Sequence, residues 1–156
     1  MISFLKKRLK HPQTPTDKLI PLEVARTLEE FDIDAAIASH HNWKYRLFAY
    51  LNNESNEDMS PEVICFDDRC ALGRWIHGSG KANLGTYPGF TALMGHHKMF
   101  HYAASSVVAL SKAGRQAQAK KMLAEQFAAY SKAVVHDLER MRRAAVHARK
   151  AAERSA

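Results

Sequence analysis

Two histidines inside an apolar helical stripe constrain the fold of this chain more than any other feature. Downstream of Pro88, apolar residues recur every three or four positions, and His97 and His101 occupy two of those positions. An imidazole in a protein core needs a hydrogen bond or a metal, and core side chains rarely satisfy two of them one turn apart. The spacing therefore predicts a helix that presents two ligands to one metal ion. Because the chain has 9 His, the pair alone is weak evidence, and its neighbours must decide.

The apolar periodicity predicts helices throughout and almost no strand, which indicates an all-α protein. A first long helix should cover about 32–51, and a last one should run from about 116 towards 149. Between them we expect the helix of His97 and a shorter helix that carries Cys70. Short connections between antiparallel helices predict an arrangement like a four-helix bundle, with the metal site in its core.

One more histidine and a cysteine can complete such a site. His40 shares the buried stripe of the first long helix, whereas His41 is rotated about 100° away from it. Cys70 is expected in the first turn of its helix, capped by one of the two preceding aspartates, where the helix dipole favours thiolate over thiol. A small buried hydrophobe is the commoner role of a lone cysteine, but three inward histidines favour a ligand. Gly73 lowers helix propensity, so its use there indicates the close approach of another backbone.

Four of the other histidines fall off the apolar stripes, and the second cysteine is not expected in the site. These side chains are predicted not to be ligands, and they are His41, His96, His136, His147 and Cys65. The histidines among them should lie at the surface.

Three short motifs surround the candidate ligands. They are H-x-x-W from His40 to Trp43, C-x-L-G-x-W from Cys70 to Trp75, and H-x-x-x-H from His97 to His101. In this order they resemble the chemoreceptor zinc-binding domain, called CZB, over about residues 32–141.

The resemblance implies a fold, a metal and a setting. It implies a helical bundle that binds Zn2+ through His40, Cys70, His97 and His101, of the kind appended to bacterial chemoreceptors and diguanylate cyclases. It further implies a homodimer, and responses to zinc or to hypochlorous acid at the zinc-bound cysteine.

Three histidines and one cysteine would fill a tetrahedral zinc, as in structural sites. A catalytic zinc keeps one position for water and needs a general base nearby, yet no glutamate lies between His97 and His101. We therefore expect a protein that is not an enzyme.

Charge and composition divide the chain into three parts. Residues 1–30 form a basic segment with a proline-containing linker, 31–145 the CZB-like domain, and 146–156 a basic helix end. The formal net charge is +7. It invites a nucleic-acid interpretation, which we disfavour because no basic recognition helix with interleaved aromatics is present. Contact of the N-terminal segment with a membrane surface is possible but disfavoured. Two cysteines without a disulfide framework, and no signal peptide or membrane span, favour the cytoplasm.

Two functions remain open at this stage. The first is a zinc-binding sensory or regulatory domain that responds to zinc level or to oxidant and signals in trans to a chemotaxis or cyclic-di-GMP type partner. The second is an interaction bundle in which zinc is a permanent staple and the basic ends contact a partner or a membrane surface. Neither the stimulus nor the partner follows from the sequence.

Overall fold

A computed structural model describes residues 22–155, and every regular element in this range is helical. The α-helices are, in chain order, α1 Leu22–Glu29, α2 Ile33–Leu51, α3 Pro61–Ile64, α4 Ala71–Trp75, α5 Lys81–Leu84, α6 Pro88–Lys112, α7 Gln116–Met122 and α8 Ala128–Arg154. Two π-helical turns, Ile76–Gly80 and Leu123–Phe127, connect α4 to α5 and α7 to α8. The predicted all-α fold is confirmed.

Local sequence signals set the ends of the long helices. The side chain of Asp32 accepts a hydrogen bond from the backbone N–H of Ala35 at 2.8 Å and caps α2. Pro88 occupies the first turn of α6, where its missing N–H costs nothing. Gly114 has a φ of +72°, which lets the chain turn sharply between α6 and α7. These ends agree with the boundaries predicted for the long helices.

The core lies between α2, α6 and the nearly continuous α7–α8 helix. Because one tight turn joins α6 to α7, these two form an antiparallel hairpin, and α1 packs on α8. The fully buried large side chains include Phe90, Leu93, Phe100, Phe127, Leu138 and Met141. Burying such side chains stabilises the fold by about 2 kcal/mol each.

The helix that carries Cys70 differs from the prediction. Cys70 is the N-cap of α4 rather than a residue of its first turn, and neither preceding aspartate caps the helix. Asp67 instead contacts the ring of His77, with 3.1 Å between its carboxylate and Nε2. The chain bends at Gly78, whose φ of −103° and ψ of −117° are not helical, so the predicted break at residues 78–80 is confirmed.

None of the helices within residues 22–155 combines the length and the apolar composition that a membrane span requires. The basic stretch at the N-terminus, for which membrane contact was disfavoured, lies outside the described residues.

Candidate metal centre

Three of the four predicted ligands converge in the core. Ligand atoms of Cys70, His97 and His101 all lie within 4.8 Å of one another. The Sγ of Cys70 is 3.3 Å from the Nε2 of His97. In a tetrahedral zinc site with ordinary bond lengths, sulfur and nitrogen ligands are about 3.6 Å apart. The spacing therefore suits one zinc ion between them.

His40 packs beside this group without belonging to it. Its ring centroid is 5.6 Å from that of His97, and the residue is only 3% exposed. Its Nδ1 lies 2.8 Å from the backbone carbonyl of Ala36 one turn earlier. If Nδ1 carries the proton, Nε2 presents its lone pair on the other side of the ring.

Unpartnered nitrogens indicate what the site needs. Nε2 of His40 and Nε2 of His101 are buried and lack a hydrogen-bond partner. The Nδ1 of His101 lies 2.7 Å from the carbonyl of Ile64, as the Nδ1 of His40 does from Ala36. Histidine ligands of metals commonly donate their other N–H to a carbonyl in this way, which fixes the tautomer and the ring orientation. The residues present therefore fit a zinc ion.

Burial keeps the three imidazoles neutral. It lowers the pKa of His40 to about 4 and that of His97 to about 2, and mutual repulsion among the histidines adds to the effect. Burial also lowers the pKa of His101. Neutral imidazole is the form that binds metal, so the histidines are ready for zinc at neutral pH.

Cys70 behaves in the opposite way to the prediction. Burial raises the pKa of its thiol, and the backbone N–H groups of Gly73 and Leu72 offset this only in part. The prediction of a lowered pKa was wrong because desolvation outweighs the end of a helix only five residues long. A bound metal cation is then needed to hold the sulfur as thiolate.

Gly73 brings two chain segments together at the cysteine. A Cβ at this position would lie 1.8 Å from the backbone oxygen of Asp67, so only glycine fits. Its N–H donates to the Sγ of Cys70 at 3.2 Å. The predicted close approach of a second backbone is confirmed, and it places the loop before α4 against the cysteine.

Phe100 is the central residue that the sequence analysis missed. It is fully buried, with ring centroids 4.6 Å from His40, 5.4 Å from His101 and 6.4 Å from His97. Phe127, in the π-helical turn before α8, contacts its other side at 5.0 Å. The helical spacing from His97 to Phe100 was a signal that could have identified this residue.

The side chains predicted to be non-ligands lie outside the Cys70, His97 and His101 group. His41, His136 and His147 are exposed, as expected. His96 is not simply at the surface, since its Nδ1 lies 2.6 Å from a carboxylate oxygen of Asp137, whose side chain is buried. The thiol of Cys65 donates to the carbonyl of Glu62 at 3.3 Å.

A groove of about 380 Å³ reaches the site from the surface. Trp43 and Phe66 line it, and so do Cys70 and His101. The guanidinium of Arg69 lies 3.9 Å from the ring centroid of Phe66. A small molecule in this groove can contact the cysteine without unfolding the bundle.

Comparison with known proteins gives one family. Residues 40–108 match the sequence model described as the chemoreceptor zinc-binding domain, CZB. Comparison with curated proteins gave no match, and neither did comparison with solved structures. The matched range contains His40, Cys70, His97 and His101, and a zinc-binding family agrees with the nitrogen and sulfur donors found together in the core. Residues 40–108 are therefore similar to the chemoreceptor zinc-binding domain family.

Proposed function

We propose that this protein is a zinc-dependent regulatory domain whose metal is held by His40, Cys70, His97 and His101. The observation that carries the proposal is the set of buried histidine nitrogens without hydrogen-bond partners around one cysteine sulfur. Three neutral imidazoles and one thiolate make a closed tetrahedral site. A closed site leaves no position for a reactive water, which supports regulation rather than catalysis.

Zinc would connect three separate parts of the bundle. His40 lies on α2, Cys70 caps α4, and His97 and His101 lie on α6. Because the free energy of metal binding adds to that of folding, occupancy would change how firmly these helices hold together. Phe100 would pass a change in zinc occupancy on to α8. Its ring contacts the three histidines and also Phe127, just before α8.

Oxidation offers a second way to change occupancy. Hypochlorous acid converts a cysteine thiolate to sulfenic acid, with the sulfur oxidised and chlorine leaving as chloride. The groove beside Cys70 gives a reagent of this size a route to the sulfur. A sulfenic acid is a poorer ligand than a thiolate, so oxidation would release zinc.

We infer that the output passes to another protein. Domains of this family occur with chemotaxis proteins, and a homodimer that signals in trans to a chemotaxis or cyclic-di-GMP type partner fits that setting. The groove favours this role over a permanent zinc staple, because a staple has no need of access to its cysteine.

Zinc titration against a competing chelator, before and after hypochlorous acid, tests the proposal. The wild type should bind one zinc per chain and lose it on oxidation. Cys70→Ser should remain helical but bind zinc much more weakly, whereas Cys65→Ser, the matched control, should behave as wild type. If zinc stays tightly bound at a dose of hypochlorous acid that oxidises surface methionines, the oxidant response is rejected. Zinc would then be a permanent structural staple.

A further inference from the structure

The outer face of α8 carries an unbroken row of basic side chains. The lysines and arginines in this row are exposed, and they are Lys132, Arg140, Arg143, Lys150 and Arg154. Two exposed histidines, His136 and His147, occupy the gaps between them. We call these seven residues the basic stripe.

The stripe is narrow and straight. Successive members are three or four residues apart, so at 3.6 residues per turn all seven fall within about 80° of arc along about 33 Å of helix. The residues of α8 that pack into the core, such as Val134, Leu138 and Met141, lie on the opposite side.

Most of this charge is not neutralised within the described residues. Arg143 lies 3.7 Å from Glu139 of the same helix, whereas the other four cations of the stripe have no carboxylate partner in that part of the chain. Two flanking arginines are used by the fold, since Arg142 pairs with Asp34 and Arg149 with Glu29. The stripe is therefore free to meet an external anion.

We propose that the basic stripe binds an acidic helix of a partner protein. The six steps between successive members are four, four, three, four, three and four residues, an average of about 3.7 that is close to the helical period, so the row can face a second helix along its whole length. Opposite charges in such rows select the partner and its orientation. Of the large apolar side chains on α8 only Val146, beside the stripe, is exposed, and it is not aromatic, which disfavours both base stacking and insertion into a membrane. This surface lies away from the metal ligands, so the proposal goes beyond the zinc-dependent function and does not depend on it.

Two synthetic peptides of the same composition test the spacing. One helical peptide carries glutamate at the seven spacings of the stripe, and the other distributes the same glutamates around all faces. The full-length zinc-loaded protein should bind the first about tenfold more tightly than the second in fluorescence anisotropy at low salt, with affinity falling as salt rises. Equal binding of the two peptides would overturn the proposal, as would tighter binding to a 20-base-pair DNA duplex or to phosphatidylserine vesicles.

Matched variants locate the surface. The triple variant Arg140→Gln, Arg143→Gln and Lys150→Gln should lose about tenfold in affinity for the spaced peptide. A control with the same charge change elsewhere, Lys81→Gln, Lys120→Gln and Lys121→Gln, should stay within about twofold of wild type. Circular dichroism verifies that both remain helical. Equal losses in the two triple variants would mean that only net charge matters and would overturn the assignment. Cys70→Ser should bind the peptide as wild type does, which separates this proposal from the metal site.

Discussion

The inner face of α6 and the outer face of α8 both carry histidines in regular rows, but they place them in opposite surroundings. On α6, His97 and His101 are almost fully removed from water, while on α8, His136 and His147 are exposed. Water can form the hydrogen bonds of an exposed imidazole, so such a ring needs no partner from the protein. A buried imidazole loses its charge and leaves a nitrogen that requires a partner. Burial, more than residue type, therefore distinguishes the proposed metal ligands from the surface histidines.

Replacing one histidine from each row should give the largest difference. His97→Ala removes a proposed ligand, and we expect zinc affinity to fall by about a hundredfold, since four ligands share the binding free energy of a structural zinc. His136→Ala should leave affinity and stoichiometry unchanged. Competition titration with a chromogenic chelator measures both. A comparable loss in His136→Ala would mean that the wrong face was assigned.

Acid should destabilise the metal-free protein through the buried row. The pKa of His40 is about 4 in the fold, against an ordinary value of 6.5, so the unfolded chain binds a proton at higher pH than the folded one. Stability is therefore complete above about pH 6.5 and should fall as pH drops towards 4, by about 3 kcal/mol for this residue alone. Urea unfolding in the presence of a chelator, at several pH values, measures the slope. His40→Leu should show a shallower slope, and an unchanged slope would argue against burial of a neutral His40.

Glycines offer a comparison of the same kind between a crowded and an open position. Gly73→Ala places a methyl group against the backbone oxygen of Asp67, and we expect a loss of about 1 to 3 kcal/mol in the free energy of unfolding together with weaker zinc binding. Gly95→Ala, on α6 with nothing near its Cβ, should stabilise the protein by up to about 1 kcal/mol. Thermal unfolding of the two variants checks the signs. Equal changes in the free energy of unfolding for the two variants would contradict the close approach at Gly73.

Helical periodicity predicted which histidines turn inward, because that depends only on spacing along one helix. It also predicted the long helices, while the low helix propensity of glycine predicted the close approach at Gly73. Contacts between distant segments were not predictable in this way. The bond between His96 and Asp137 spans 41 positions, and the packing of Phe127 on Phe100 depends on a π-helical turn that no local pattern announces. The raised pKa of Cys70 was missed for the same reason, since desolvation is a property of the assembled core.

The smallest expected signal is the number of protons released when zinc binds. This number distinguishes the protonation of the histidines from that of the cysteine within the site. Burial lowers the pKa of His40 and His97 far below neutrality, so these rings have no proton to release at pH 7. Burial raises the pKa of Cys70, so its thiol must lose a proton when zinc binds. Calorimetric titration in buffers of different ionisation enthalpy should therefore report about one proton released per zinc at pH 7. In Cys70→Ser the release should fall towards zero. Two or more protons in the wild type would show that a histidine is charged before zinc arrives, contrary to the buried, neutral row.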